Sequence, residues 1–148
     1  LLIEGKENVM GVINHELGDI DASHPNKVLN TMKHGDFSQK NIDSFVATVE
    51  GVLLSREDPY VVIYDNSALK WMTSQERIAA GKALGTLEPK LQDYYSGTIT
   101  VITSPITRMI SRGVTLVMKN KKPIVFVSSI EEAHKKADEF LSKVMVAS

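Results

Sequence analysis

The chain has 148 residues and no cysteine. Disulfides, thiolate zinc sites and cysteine nucleophiles are excluded together, in keeping with a reducing, cytoplasmic compartment. Neither sign of charge is in excess: 17 basic and 18 acidic residues leave a formal net charge of −1. A nucleic-acid binder normally carries a basic surplus to neutralise phosphates, so no nucleic-acid partner is expected. No apolar run approaches the roughly 20 residues that span a bilayer, so no transmembrane segment is expected either. The opening Leu1-Leu2-Ile3-Glu4 lacks the basic, apolar, small-residue order of an export signal. With no initiator Met, the chain is compatible with trimming or a lost leader.

Catalytic signatures are missing as well. There is no Gly-rich loop ending in Gly-Lys-Ser/Thr, no Gly-x-Gly-x-x-Gly, no Gly-x-Ser-x-Gly and no His-Glu-x-x-His. ATP, dinucleotide, hydrolase and zinc-protease chemistry have no local support, and no cofactor is expected. Asp19-x-Asp21-x-Ser23 imitates a calcium loop. It fails at the sixth position, His24 instead of glycine, and at the twelfth, Asn30 instead of a bidentate Glu. His15, Glu16, Asp19, Asp21, His24 and His34 gather acids and imidazoles in the first third, but their spacing matches no ligand frame, so no metal is expected.

At 43% hydrophobic and 24% charged residues, the composition is that of one globular domain covering residues 1–148. There is no internal repeat or low-complexity segment. Residues 60–64 (Tyr-Val-Val-Ile-Tyr), 98–102 (Thr-Ile-Thr-Val-Ile) and 124–127 (Ile-Val-Phe-Val) are short β-branched or aromatic runs, the pattern of strands covered on both faces. Each precedes a helical stretch, which predicts right-handed crossovers and a parallel sheet. A helix is expected from Thr73, with Ile78, Gly81, Leu84, Leu87, Leu91 and Tyr94 inward and a break near Glu88 before Pro89. A second begins at Ser104-Pro105 with Ile106, Met109, Ile110, Val114 and Val117 inward. A third runs from Ile130 with Ala133, Ala137, Phe140, Leu141 and Val144 inward. Ser38 starts a further helix carrying Ile42, Phe45, Val46, Val49 and Leu53. Residues 9–14 and 27–33 are possible strands, the stretch between them is loop-like, and residues 1–26 form an extension without a firm structure. The expected fold is α/β: a mixed, mostly parallel sheet of four to five strands with about four helices.

The polar residues after the parallel strands are Asp65, Asn66 and Ser67, then Thr103 and Ser104, then Ser128 and Ser129. Ligands of open α/β sheets bind outside such strand ends, where helix N-termini offer free amides. Arg108 lies one turn inside a helix and Arg112 one turn further on the same face. Cations near a helix start oppose its dipole unless an anion compensates. Capping offers the alternative account. Thr73 with Glu76 and Ser129 with Glu132 have capping-box spacing, and Ser104 before Pro105 is an ordinary N-cap. Gly81 and Gly85 suit close packing or a homodimer face. Lys119-Asn120-Lys121-Lys122 suits a solvated turn or an anionic surface, and Trp71-Met72 a staple or a partner anchor.

The order of two possible strands, a helix, Tyr-Val-Val-Ile-Tyr-Asp65, a helix, a strand, Ser104-Pro105 with Arg108, a strand and Ser129-Ile130-Glu131-Glu132-Ala133 resembles the STAS superfamily over roughly residues 27–145. The nearest branch is SpoIIAA-like, which shades into STAS/SEC14-type domains. The resemblance implies a bacterial, non-enzymatic regulatory or ligand-carrying domain. Such domains bind a protein partner such as an anti-sigma kinase and are switched by phosphorylation at a helix start, here Thr73 or Ser74. In place of the family's Asp-Ser-Ser-Gly-Leu type of motif stands Met72-Thr73-Ser74-Gln75-Glu76. Three functions are therefore weighed. One is a module binding a partner or small anion through Asp65, Asn66, Ser67, Thr73, Ser74, Thr103, Ser104, Arg108 and Arg112. Another is a carrier of a lipid or apolar small molecule, which needs a cavity. The third is an enzyme pairing Asp65 with His15 or His34.

Overall fold

The computed structural model describes residues 10–91, 93–118 and 122–147, with side chains as far as residue 144. Val9 of the first expected strand and Lys119, Asn120 and Lys121 of the basic turn lie outside the described residues. The elements run β1 (Val12–Asn14), β2 (Gly18–Asp21), β3 (Lys27–Met32), α1 (Gln39–Leu54), β4 (Tyr60–Asp65), α2 (Ser74–Gly85), a 3-10 turn (Glu88–Lys90), β5 (Tyr95–Val101), α3 (Pro105–Met118), β6 (Ile124–Val127) and α4 (Ile130–Ala147).

One six-stranded sheet holds the strands in chain order. The pairs β1–β2 and β2–β3 are antiparallel, and β3–β4, β4–β5 and β5–β6 are parallel. The α/β, mostly parallel architecture is as expected, with six strands where four to five were expected. The added strand is β2, inside the stretch expected to be loop. Its Gly18-Asp19-Ile20-Asp21 turns Gly18 and Ile20 inward and the aspartates outward. That is period-two alternation carried by residues poor in strand propensity.

The winding of the parallel strands decides where everything else lies. Each crossover from β3 to β6 steps to the next strand in the same direction. Right-handed connections of that kind place their helices on one face of the sheet. Accordingly α1, α2 and α3 share a core with Val28, Met32, Tyr60, Val62 and Tyr95. The last helix has no further strand to reach and packs on the other face, where Ala133, Ala137 and Leu141 cover Val61, Ile63, Ile99 and Val101. Strand β4 thus feeds two cores by alternation, Tyr60 and Val62 into one, Val61 and Ile63 into the other.

Two helices depart from the expected stripes. In α3, Ile106 and Met109 are 50% and 46% exposed, while Thr107, Ile110 and Ser111 are buried. The inward line therefore runs through hydroxyl residues. They tolerate it by bonding locally: Thr107 Oγ1 donates to the Ser104 carbonyl at 3.0 Å, and Thr115 Oγ1 to the Ser111 carbonyl at 2.8 Å. In α2, Ile78 is exposed, and the helix stops at Gly85 with Thr86 as C-cap, slightly before the expected break. Pro89 lies in the 3-10 turn, where its missing N–H does no harm.

The contact between α2 and α3 depends on Gly81. A Cβ there would meet Val117 Cβ at 2.6 Å and the Val114 carbonyl oxygen at 2.7 Å. Gly85 approaches the Met118 backbone in the same way, so this pair serves internal packing. In β5, Gly97 has φ +146° and abuts the Phe140 ring, which no larger residue tolerates. Arg56 is buried, its Nη2 donating to the Ala22 carbonyl at 2.9 Å and tying the β2–β3 connection to the end of α1.

On the α4 face, Lys27 Nζ lies 3.0 Å from Asp138 and 3.3 Å from His134 Nδ1. Burial lowers the His134 pKa below its ordinary 6.5. The charges of Lys27 and His24 add to this, and Asp138 and Glu131 oppose it.

Two predictions follow from these contacts. Helix propensity alone makes Gly81→Ala stabilising by about 1 kcal/mol, but overpacking costs about 1–3 kcal/mol. Urea denaturation should therefore show a net loss, and a gain in stability would mean that the helices do not meet at this glycine. Because the folded pKa of His134 is depressed, the unfolded chain takes up its proton first. Its contribution to stability is complete above pH 6.5 and falls as pH drops toward the folded value. His134→Gln should flatten that part of the stability profile, and an unchanged slope would contradict the assignment.

Candidate functional site

The carboxyl ends of the parallel strands do line up: Asp65 is in register with Val101, and Val101 with Val127. The rim residues, however, are mostly occupied with local structure. Asp65 Oδ1 accepts from the Ser67 backbone N–H at 3.0 Å and from Ser67 Oγ at 2.5 Å, closing a turn after β4. Thr73 caps α2: its Oγ1 accepts from Glu76 N–H at 3.1 Å, and its own N–H donates to Glu76 Oε1 at 2.8 Å. Ser104 accepts from Thr107 N–H at 3.2 Å. Ser129 accepts from Glu132 N–H at 3.1 Å.

Ser74 Oγ accepts from Arg77 Nη2 at 3.1 Å, and the same guanidinium donates to the Met72 carbonyl and stacks on the exposed Trp71 ring, 5.2 Å from its centroid. Met72, by contrast, is buried under the helix start. Thr103, Arg108 and Arg112 are exposed, and among the described residues the two arginines form no ion pair.

The first-third cluster of acids and histidines is likewise dispersed. His15 meets Ser44 at 3.1 Å and accepts from Leu17 N–H at 3.0 Å. Glu16 accepts from Asn41, Asp19 pairs with Lys33 at 2.8 Å, and Asp21 with Ser23. Hydrogen bonds from Ser23 hold the Asp21 carboxyl below the usual aspartate range. Among the described residues no group of three potential ligands is placed to hold a metal ion. His15 follows Asn14, which lies three strands from Asp65 in register, about 14 Å at the usual strand spacing.

Of the rim residues, Asn66 alone turns inward, its Nδ2 donating to Ser111 Oγ at 2.9 Å. It leads to a cavity of about 90 Å³ between the sheet and its three-helix roof. Phe45 and Val46 of α1, Ala80 and Leu84 of α2, and Ile110, Val114 and Met118 of α3 form the apolar walls. The sheet side is different in kind, presenting Tyr64, Thr98 and Thr100. A smaller cavity of about 20 Å³ adjoins it, sharing Tyr64, Leu84, Thr98 and Met118.

Tyr64 and Thr100 belong to one register row across the sheet, Asn30–Tyr64–Thr100. Asn30 is fully buried, and both atoms of its amide lack a hydrogen-bond partner. Among the described residues, the Tyr64 and Thr100 hydroxyls form no hydrogen bond either. Thr98, one step back on the same face, is bonded to the Tyr95 phenol. Burial, with the Tyr95 and Tyr60 phenols beside it, pushes Tyr64 well above the ordinary tyrosine pKa, so its hydroxyl stays protonated. The row went unread in the sequence because these strands look apolar throughout. Alternation would have shown it: Asn30, Tyr64, Thr98 and Thr100 fall on one face, with Leu29, Ile63, Ile99 and Val101 on the other.

Comparison of the chain with protein-family models, curated proteins and solved structures returns no match.

Since the Thr73 hydroxyl is engaged in a capping box, Thr73→Ala should cost about 1 kcal/mol of stability in chemical denaturation. An unaltered midpoint would mean that this hydroxyl is free for another role.

Proposed function

We propose that this chain is a non-enzymatic binding domain whose ligand is a small, mainly apolar molecule held between the sheet and the α1–α2–α3 roof. The observation that carries this reading is the cavity itself. At about 90 Å³ it is several times the roughly 10–15 Å³ that one water molecule needs, and its walls are apolar except for a few convergent polar groups. That is the usual chemistry of a small-molecule site. The reading agrees with the ligand-carrying side of the resemblance to SpoIIAA-like, STAS/SEC14-type domains. A rim site for a protein partner or free anion has less behind it. The hydroxyls of Thr73 and Ser104 serve as helix caps, Asp65 serves a turn, and Arg108 and Arg112 stand apart in solvent. An acid–base pair has less still, because Asp65 takes its bonds from Ser67 and His15 meets Ser44.

Titration with toluene, followed by backbone amide NMR, tests the proposal. Shifts should concentrate on residues around Ala80, Ile110 and Val114, and Ala80→Phe should abolish them while leaving a cooperative melt. Shifts confined to the outer surface, or surviving in Ala80→Phe, would remove the cavity from consideration as a ligand site.

A further inference from the structure

We propose that Tyr64 and Thr100, neighbours in one register row, read an uncharged hydroxyl or carbonyl head, so that the cavity accepts neutral amphiphiles and rejects their carboxylate counterparts. This rests on the cavity reading above and goes beyond it by naming the ligand's chemical class.

The first argument is hydrogen-bond accounting. Three adjacent strands each place one polar side chain in the same register row on the helix-covered face, and none of the three has a partner among the described residues. Of the three, the Asn30 amide is buried outright and carries the cost of about 1–3 kcal/mol for an unsatisfied polar group, whereas the Tyr64 and Thr100 hydroxyls open on the cavity and are free to bond what enters it. Tyr64 and Thr100 line the cavity, and Asn30 stands beside Tyr64 in the row. The two hydroxyls can both donate and accept, which matches a hydroxyl or a carbonyl.

The second argument is charge. Among the described residues no Lys, Arg or His lines either cavity, and the one charged side chain along them is Glu88, in the smaller. An ionised carboxylate carried to the sheet would lose its water without gaining a cation and would approach Glu88. Burying an unpaired charge costs far more than hydrogen bonds from neutral groups return. An alcohol of the same chain length meets neither obstacle. Arg108 and Arg112, the cations first suspected of holding an anion, are exposed and line neither cavity.

The test compares hexan-1-ol with hexanoate at neutral pH on the full chain, with toluene as the probe of the cavity alone. Hexan-1-ol should bind about tenfold or more tightly than hexanoate. Thr100→Val, which keeps the shape and removes the hydroxyl, should weaken hexan-1-ol about fivefold and leave toluene unchanged. Tyr64→Phe, which removes only the phenol oxygen, should likewise weaken hexan-1-ol and leave toluene unchanged. Equal binding of alcohol and acid, or a hexan-1-ol affinity indifferent to both substitutions, overturns the selectivity while toluene binding still upholds the cavity. Failure of toluene to bind overturns both.

Discussion

The direction of winding is the constraint on which the rest of this molecule depends. Four parallel strands laid down one after another, each joined to the next by a right-handed crossover, must put all three connecting helices on the same side. Three helices abreast over four strands cannot all lie flat on the sheet. The space is resolved by α2 and α3 closing on each other through Gly81 and Gly85, where the absence of a Cβ lets the backbones approach. Inward-facing hydroxyl residues on α3, shorter than the apolar side chains expected there, leave the gap between roof and sheet unfilled. The cavity is thus a product of topology and of small side chains at particular positions, and no separate device is needed to hold it open.

The two faces of the sheet differ in how completely they are packed. Under α4 the side chains are aliphatic, and Ala133 and Ala137 bring the helix close. Under the roof the same strands present phenols, threonines and an amide. Had burial alone governed this face, the row at Asn30, Tyr64 and Thr100 would carry leucine and valine as its opposite face does. The Asn30 amide, buried with neither atom bonded, costs stability that an aliphatic side chain at the same place would not.

Much of this architecture was legible in the chain. The strand at Ile124–Val127 and the helix starts at Ser38, Thr73, Pro105 and Ile130 stand where β-branched runs and capping residues placed them. What escaped notice had physical reasons. Strand β2 is made of Gly18, Asp19, Ile20 and Asp21, a composition typical of turns, and its partners on both sides hold it extended. Of the stripe expected on α3, Ile110, Val114 and Val117 face inward, while Ile106 and Met109 are exposed and Thr107 and Ser111 are buried in their stead. For the site, the residues expected at the rim stand at the strand ends, but only Asn66 among them turns toward the cavity. The polar row lies within the strands, where a residue's neighbours are set by register between segments far apart in the chain.

The alternation of β4 has a further consequence. Val61 and Ile63 belong to the core with α4, while Tyr60, Val62 and Tyr64 face the roof, so a single strand divides two separately packed layers. A substitution on β4 is therefore felt first by one helix layer or by the other, according to the parity of its position.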